Sequence, residues 1–153
     1  MLDKIDKLIL LHLQRDASLS LQQLSELVHL SPTPCWRRVQ KLEQDGYIRA
    51  RVALLEPRKL NVGVTVFVAI RTTEHNDQWM QKLCDVVKDI PEIVEFYRMS
   101  GDTDYLMRVV VPNVEGYDNI YKRLVSRLDF AGISSSFAME QIKYTTALPL
   151  DYV

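Results

Sequence analysis

The chain has 153 residues, 47% hydrophobic and 25% charged, with a formal net charge of −1, the balance of an ordinary globular protein. These values exclude a disordered tail, a collagen-like repeat and a disulfide-stapled miniature. No apolar run approaches the ~20 residues a bilayer span needs, and Met1–Lys7 lacks the grading of a secretory signal. Cys35, Cys84 and three histidines are too few for a disulfide framework or a structural zinc site. The expectation is a reduced, cytoplasmic protein with no metal, no cofactor and no membrane partner. Charge is uneven: residues 1–60 hold ten Lys/Arg against seven Asp/Glu, and residues 61–153 hold nine against thirteen. A basic third on an acidic remainder suggests one module for a polyanion and another for something else.

In chain order, Leu2, Ile5, Leu8, Ile9 and Leu13 recur at helical spacing. They predict a first helix capped by Asp3 and running to about Arg15. Ser20 opens a second helix with Leu24, Leu27 and Val28 inward. Ser31-Pro32 starts a third, where proline's missing N–H costs nothing. Cys35, Val39 and Leu42 form its buried stripe, and Gly46 stops it. Three short helices with a turn at Val28–Leu30 predict a helix-turn-helix. Tyr47–Arg49 and Val52–Leu55 then read as two short strands, a small hairpin or wing, and Glu56–Gly63 as a linker.

From Val64 the pattern is strand-rich. Strands are expected at Val64–Thr72, Ile93–Met99, Tyr105–Val111 and Ile133–Thr145. Helices are expected at Asp77–Ile90 and at Val114–Leu128, the latter with Tyr117, Ile120, Tyr121, Leu124 and Leu128 inward. The order β-α-β-β-α-β is the split βαβ arrangement of ferredoxin-like folds. The fold class is therefore α+β: a winged helix-turn-helix over 1–55, a linker over 56–63 and a ferredoxin-like unit over 64–153.

The third helix carries the clearest chemistry. With its stripe buried, the other face presents Thr33, Pro34, Trp36, Arg37, Gln40 and Lys41, with Arg38 toward one edge. A helix fits the major groove, where Arg reads guanine, Gln reads adenine and a Thr methyl meets thymine. Arg49 and Arg51 in the wing are placed to touch phosphates or a neighbouring groove, and Ser31 with the helix start can take a phosphate. A solvated face is the plainer alternative, but an exposed indole at Trp36 argues against it. The second candidate is Met99-Ser100-Gly101-Asp102-Thr103-Asp104-Tyr105. Its N–H groups could take a carboxylate, and Asp102 or Asp104 an ammonium, as a zwitterionic amino acid requires. On the residues alone a plain hairpin turn is favoured there. No histidine lies near these carboxylates in sequence, and Ser134–Ser136 lacks a glycine elbow, so no catalytic residue is expected.

The run Leu30-Ser31-Pro32-Thr33-Pro34-Cys35-Trp36-Arg37-Arg38-Val39 resembles the Lrp/AsnC (feast/famine) family of transcriptional regulators. Leu2–Asp6, Ser100–Leu106 and Thr145–Leu150 match it in order. Ser135–Thr146 is similar to the family's DecR-like branch. The resemblance implies a sequence-specific DNA-binding regulator whose C-terminal half binds a small-molecule effector and assembles dimers into tetramers or octamers, on a roughly palindromic operator. It also implies an amino-acid effector, with cysteine the first choice, held by the loop matching Met99–Tyr105 with help from Ser134, Ser136 and Ala138. His29 stands where the family often has glycine, so positive φ is expected there. Competing readings are a chromatin-like protein that wraps DNA with little sequence preference and an amino-acid-sensing subunit of an enzyme.

Overall fold

The computed structural model describes residues 2–153. Its chain groups into two compact units, Met1–Leu54 with Lys143–Val153, and Leu55–Ile142.

The first unit holds α1 (Lys4–Leu13), α2 (Leu21–Leu27) and α3 (Pro32–Gln44). Each start has a local cause. Asp3 Oδ1 accepts from the N–H groups of Ile5 and Asp6 at 2.9 Å each, and Asp6 Oδ2 accepts from the Asp3 N–H at 3.2 Å. This closed capping box satisfies donors the helix cannot pair itself. Ser20 and Gln23 repeat the device on α2. Ser31 occupies the cap position of α3 but makes no side-chain cap bond, so Pro32 sets that start. Gly46, at φ +77°, ends the segment. Ile9, Leu10, Leu13, Leu24, Val28, Cys35, Val39 and Leu42 form the core.

Four expectations change here. The first helix ends at Leu13, two residues short of the predicted Arg15. Leu27 is 44% exposed while Ser25 is buried, because Leu24, Ser25 and Val28 share one side of a short helix and Leu27 lies about 110° from their centre. The wing strands at 47–49 and 52–55 form no ladder. Two short strands alone are marginal, and Val52, Leu54 and Leu55 stay exposed. The last eleven residues, read as part of the C-terminal unit, pack on the helical one. Gln14 donates to the Leu148 carbonyl at 3.0 Å and accepts from its N–H at 2.8 Å, and Leu150 lies against the core.

The second unit contains β1 (Val64–Arg71), α4 (Asp77–Lys88), β2 (Ile93–Arg98), β3 (Tyr105–Val111), α5 (Val114–Arg127) and β4 (Gly132–Phe137). The sheet order is β2-β3-β1-β4, all antiparallel, as the split βαβ reading predicts. Val66, Val68 and Ile70 of β1 and Met107, Val109 and Val111 of β3 pack against Leu83 of α4 and Ile120 and Leu124 of α5. Alternation puts Phe67, Ala69, Leu106 and Arg108 on the opposite sheet face. The last strand stops at Phe137 instead of Thr145. Among the described residues its one neighbour is β1, and past the bond from the Ala138 N–H to the Thr65 carbonyl (2.9 Å) that neighbour has ended. Tyr121, expected inward, is 37% exposed. Residues 57–61 fold into a tight turn, with Asn61 at φ +57°.

Candidate nucleic-acid interface and effector loop

The chemistry of α3 follows from which side is anchored. Cys35, Val39 and Leu42 are buried, and burial pushes the Cys35 thiol's pKa up, which keeps it an inert apolar filler. Thr33, Pro34, Arg37 and Lys41 are exposed, and Trp36 leaves 51% of its surface to solvent. The Ser31 hydroxyl, released from capping, sits at the same helix start. Arg49 is exposed as well.

Three residues of the expected interface are engaged elsewhere. Gln40 donates to Glu43 at 3.1 Å, and Arg51 pairs with the other oxygen of the same carboxylate at 2.8 Å. Arg38 Nη1 donates to Asp3 Oδ2 at 2.5 Å and to Asp6 Oδ1 at 2.7 Å. The Asp6 N–H and then the Arg38 guanidinium hold the Asp3 carboxyl below the usual carboxylate range. Asp3 and Asp6 in turn raise the pKa of Arg38.

The loop Met99–Asp104 connects β2 to β3. Gly101 has φ +108°, which a side chain would resist. Met99, Ser100, Gly101 and Asp102 are exposed and Thr103 is half-buried. Asp104 ties the loop to the end of β1: its N–H donates to the Ile70 carbonyl at 2.9 Å and its Oδ2 accepts from the Thr72 N–H at 2.8 Å. Tyr105 does not face the loop's open side. It is buried, stacked on Phe96 with ring centroids 5.6 Å apart and tilted against Trp79 at 5.7 Å.

Register decides which serines accompany the loop. Ser134 pairs with Ala69, next to Ile70, so it lies at the loop's end of the sheet. Ser136 pairs with Phe67 and Ala138 bonds to Thr65, about 7 and 14 Å further along at the rise of a strand. One chain therefore puts Ser134 at the loop's end of the sheet, with β1 between β4 and β3, and Ser136 and Ala138 further off. The skipped residue, Ser135, faces the helices and hydrogen-bonds Tyr117, whose pKa burial raises. Sequence reasoning missed Arg71 and Thr72. Arg71 lies across Gly132, its guanidinium 3.2 Å from where a side chain there would begin. The polar run Arg71-Thr72-Thr73 closing an apolar strand was the available signal. Among the described residues no cluster could hold a metal ion, and no helix is long and apolar enough to cross a membrane.

A three-helix unit with a basic outer face on α3, joined to a ferredoxin-like sheet, is the architecture of a two-part transcriptional regulator. Family profiles agree: residues 2–49 match a winged helix-turn-helix DNA-binding model, and residues 65–148 match the Lrp/AsnC ligand binding domain. The chain belongs to the Lrp/AsnC family of transcriptional regulators. It is 51% identical over 152 residues to the DNA-binding transcriptional activator DecR of Escherichia coli K12, covering 99% of this chain and 100% of that one. Among solved structures, it superposes on an AsnC family transcriptional regulator from Agrobacterium tumefaciens with a TM-score of 0.95 and 57% identity, over 99% of both chains. It also superposes on a transcriptional regulator from Neisseria meningitidis, solved as a complex with L-Met, with a TM-score of 0.94 and 33% identity over 99% of both. All three of these relatives are transcriptional regulators.

Proposed function

We propose that this regulator inserts α3 into the major groove of a roughly palindromic operator, as a homodimer assembling further, and that an amino acid bound at the Gly101 loop tunes that binding. The observation that carries the reading is the asymmetry of α3. One side is sealed by Cys35, Val39 and Leu42, while Trp36 and Arg37 stand in solvent with no partner among the described residues. An exposed indole beside a free guanidinium suits stacking, apolar contact and guanine recognition.

The effector reading rests on the loop's chemistry. Exposed backbone at Gly101 and the carboxylate of Asp102, without a partner among the described residues, complement a zwitterion, and Asp104 holds the loop in shape. The L-Met complex of the Neisseria relative supports an amino acid; cysteine, which the sequence resemblance implies, is the first to try. The loop lies open, and a depression of about 340 Å³ near the start of β4, lined by Tyr121, Val125, Phe130 and Ile133, takes none of its residues. This favours a second copy completing the site, which would also supply Ser136 and Ala138.

The test is gel-shift titration on a duplex that the protein itself selects from a random library, against each amino acid, with particle size measured alongside. A ligand that changes both shift and size is expected. A lone subunit that binds selected and scrambled duplexes alike would overturn the reading.

A further inference from the structure

Arg38 sits in the middle of the recognition helix, flanked by the two residues that define its faces: Arg37 outward and Val39 inward. Its charge and position fit a phosphate or base contact, but its bonds point the other way. A single nitrogen, Nη1, reaches both Asp3 and Asp6 at the start of α1. Each carboxylate uses its other oxygen on backbone: Asp3 Oδ1 on the Ile5 and Asp6 N–H groups, Asp6 Oδ2 on the Asp3 N–H. All four carboxylate oxygens are engaged, and the guanidinium is bolted to the capping box of α1.

We infer that Arg38 is a positioning residue that fixes the roll of α3, so that Arg37 and Trp36 present to the groove at one angle. The apolar stripe alone cannot do this. Cys35, Val39 and Leu42 run in one row along the helix, and such a row lets a helix rock about its axis. Arg38 stands about 65° to one side of the row, while Arg37 is nearly opposite it. An anchor off the row resists rocking. The geometric stake is large, because a roll of about 20° moves a side-chain tip ~9 Å from the axis by about 3 Å, the length of a hydrogen bond.

The inference rests on the reading that the outer face of α3 reads base edges, and the experiment separates the two. The full chain is titrated with a duplex it has selected from a random library and with a scrambled duplex, over a range of KCl concentrations. Four variants are compared with the parent: Arg38→Gln, Arg38→Lys, the pair Asp3→Asn/Asp6→Asn, and all three asparagine and glutamine changes together. Asparagine keeps an acceptor for the capping bonds, so α1 retains its start.

Arg38→Gln is expected to lower discrimination between the duplexes on the order of tenfold, the size of coupling within one network. The slope of log affinity against log salt should not change. The asparagine pair should show the same loss, and the triple variant no further loss. Arg38→Lys should keep most of the discrimination, since one ammonium can stand where Nη1 does. Equal weakening on both duplexes with a slope smaller by about one phosphate would make Arg38 a backbone contact. Intact discrimination in the asparagine pair beside a loss in Arg38→Gln would make it a base reader. Intact discrimination in both would remove it from recognition. Any of these overturns the proposal. A parent protein with no preference for the selected duplex would instead overturn the groove reading itself.

Discussion

At the scale of single residues, Arg37 and His29 do opposite kinds of work. Arg37 has no hydrogen-bond or ion-pair partner among the described residues, so its value should show only against DNA. Arg37→Ala should cost about 1–3 kcal/mol on a selected duplex and much less on a scrambled one, as expected for a guanidinium reading a base; paired titrations on the two duplexes check it. His29 concerns folding instead. It holds φ +56° in the turn between α2 and α3, a conformation that strains a residue with a Cβ by about 1–2 kcal/mol. Glycine would release that strain but lose about 0.5–1 kcal/mol to a freer unfolded chain. His29→Gly should therefore raise stability modestly, seen as a higher urea midpoint, and His29→Val should lower it. Asp3 adds a pH dependence. Its carboxyl is held below its ordinary 3.8 in the folded state, first by the Asp6 N–H and then by Arg38. A depressed acid stabilises the fold above its unfolded value, and that contribution is lost as pH falls through the lowered one. Urea unfolding from pH 6 downward should show this loss below about pH 4, and Asp3→Asn should flatten it.

At the scale of elements, the C-terminal tail is the least obvious piece. Residues 143–153 add two hydrogen bonds between Gln14 and Leu148 and the apolar contact of Leu150 to the helical unit. Removing them should cost that unit about 2–3 kcal/mol, from about 1 kcal/mol per hydrogen bond and a similar amount for a partly buried leucine. Hydrogen exchange reads this locally: amides of α1 and α3 should exchange faster in the truncated chain, and those of β1 and β3 at the parent rate. Helices and central strands were legible because local rules decide them. Asp3, Ser20 and Pro32 mark starts, Gly46 marks an end, and Tyr105–Val111 alternates across a half-covered sheet with both bounds correct. What was illegible depends on partners distant in sequence. Ile133–Thr145 reads as one long strand, yet its length is set by where β1 begins. Gln14 and Leu150 are 136 positions apart and carry no motif. The pairs at 47–55 have strand composition but no third strand to make a ladder worthwhile. The interface shows the same division. The stripe that faces Trp36 and Arg37 outward follows from spacing, whereas the diversion of Arg38 to Asp3 and Asp6, and of Tyr105 into the core, needs the packing of one helix or strand on another.

At the scale of the whole molecule, the joining of a DNA-binding unit and a ligand-binding unit in one chain makes a thermodynamic demand. An effector can alter operator binding only through different affinity for two states of the protein. Linkage then requires DNA to alter effector affinity by the same factor and in the same direction. With typical coupling of about 1–3 kcal/mol, that factor is about 5–150. The check takes two titrations on one preparation: operator affinity with and without saturating amino acid, and amino-acid affinity with and without saturating operator. The ratios should be equal, whichever amino acid proves active. Asp102→Asn, which leaves Asp104 and its bond to Thr72 in place, should weaken the amino acid and leave effector-free operator affinity at the parent value, because Asp102 lies on the exposed loop and α3 belongs to the other unit. If operator affinity falls in that variant without any amino acid present, the loop is shaping the assembly that meets DNA, not merely sensing a ligand. Unequal ratios in the parent would mean that assembly changes during the titration, and repeating both at several protein concentrations would then bring them together.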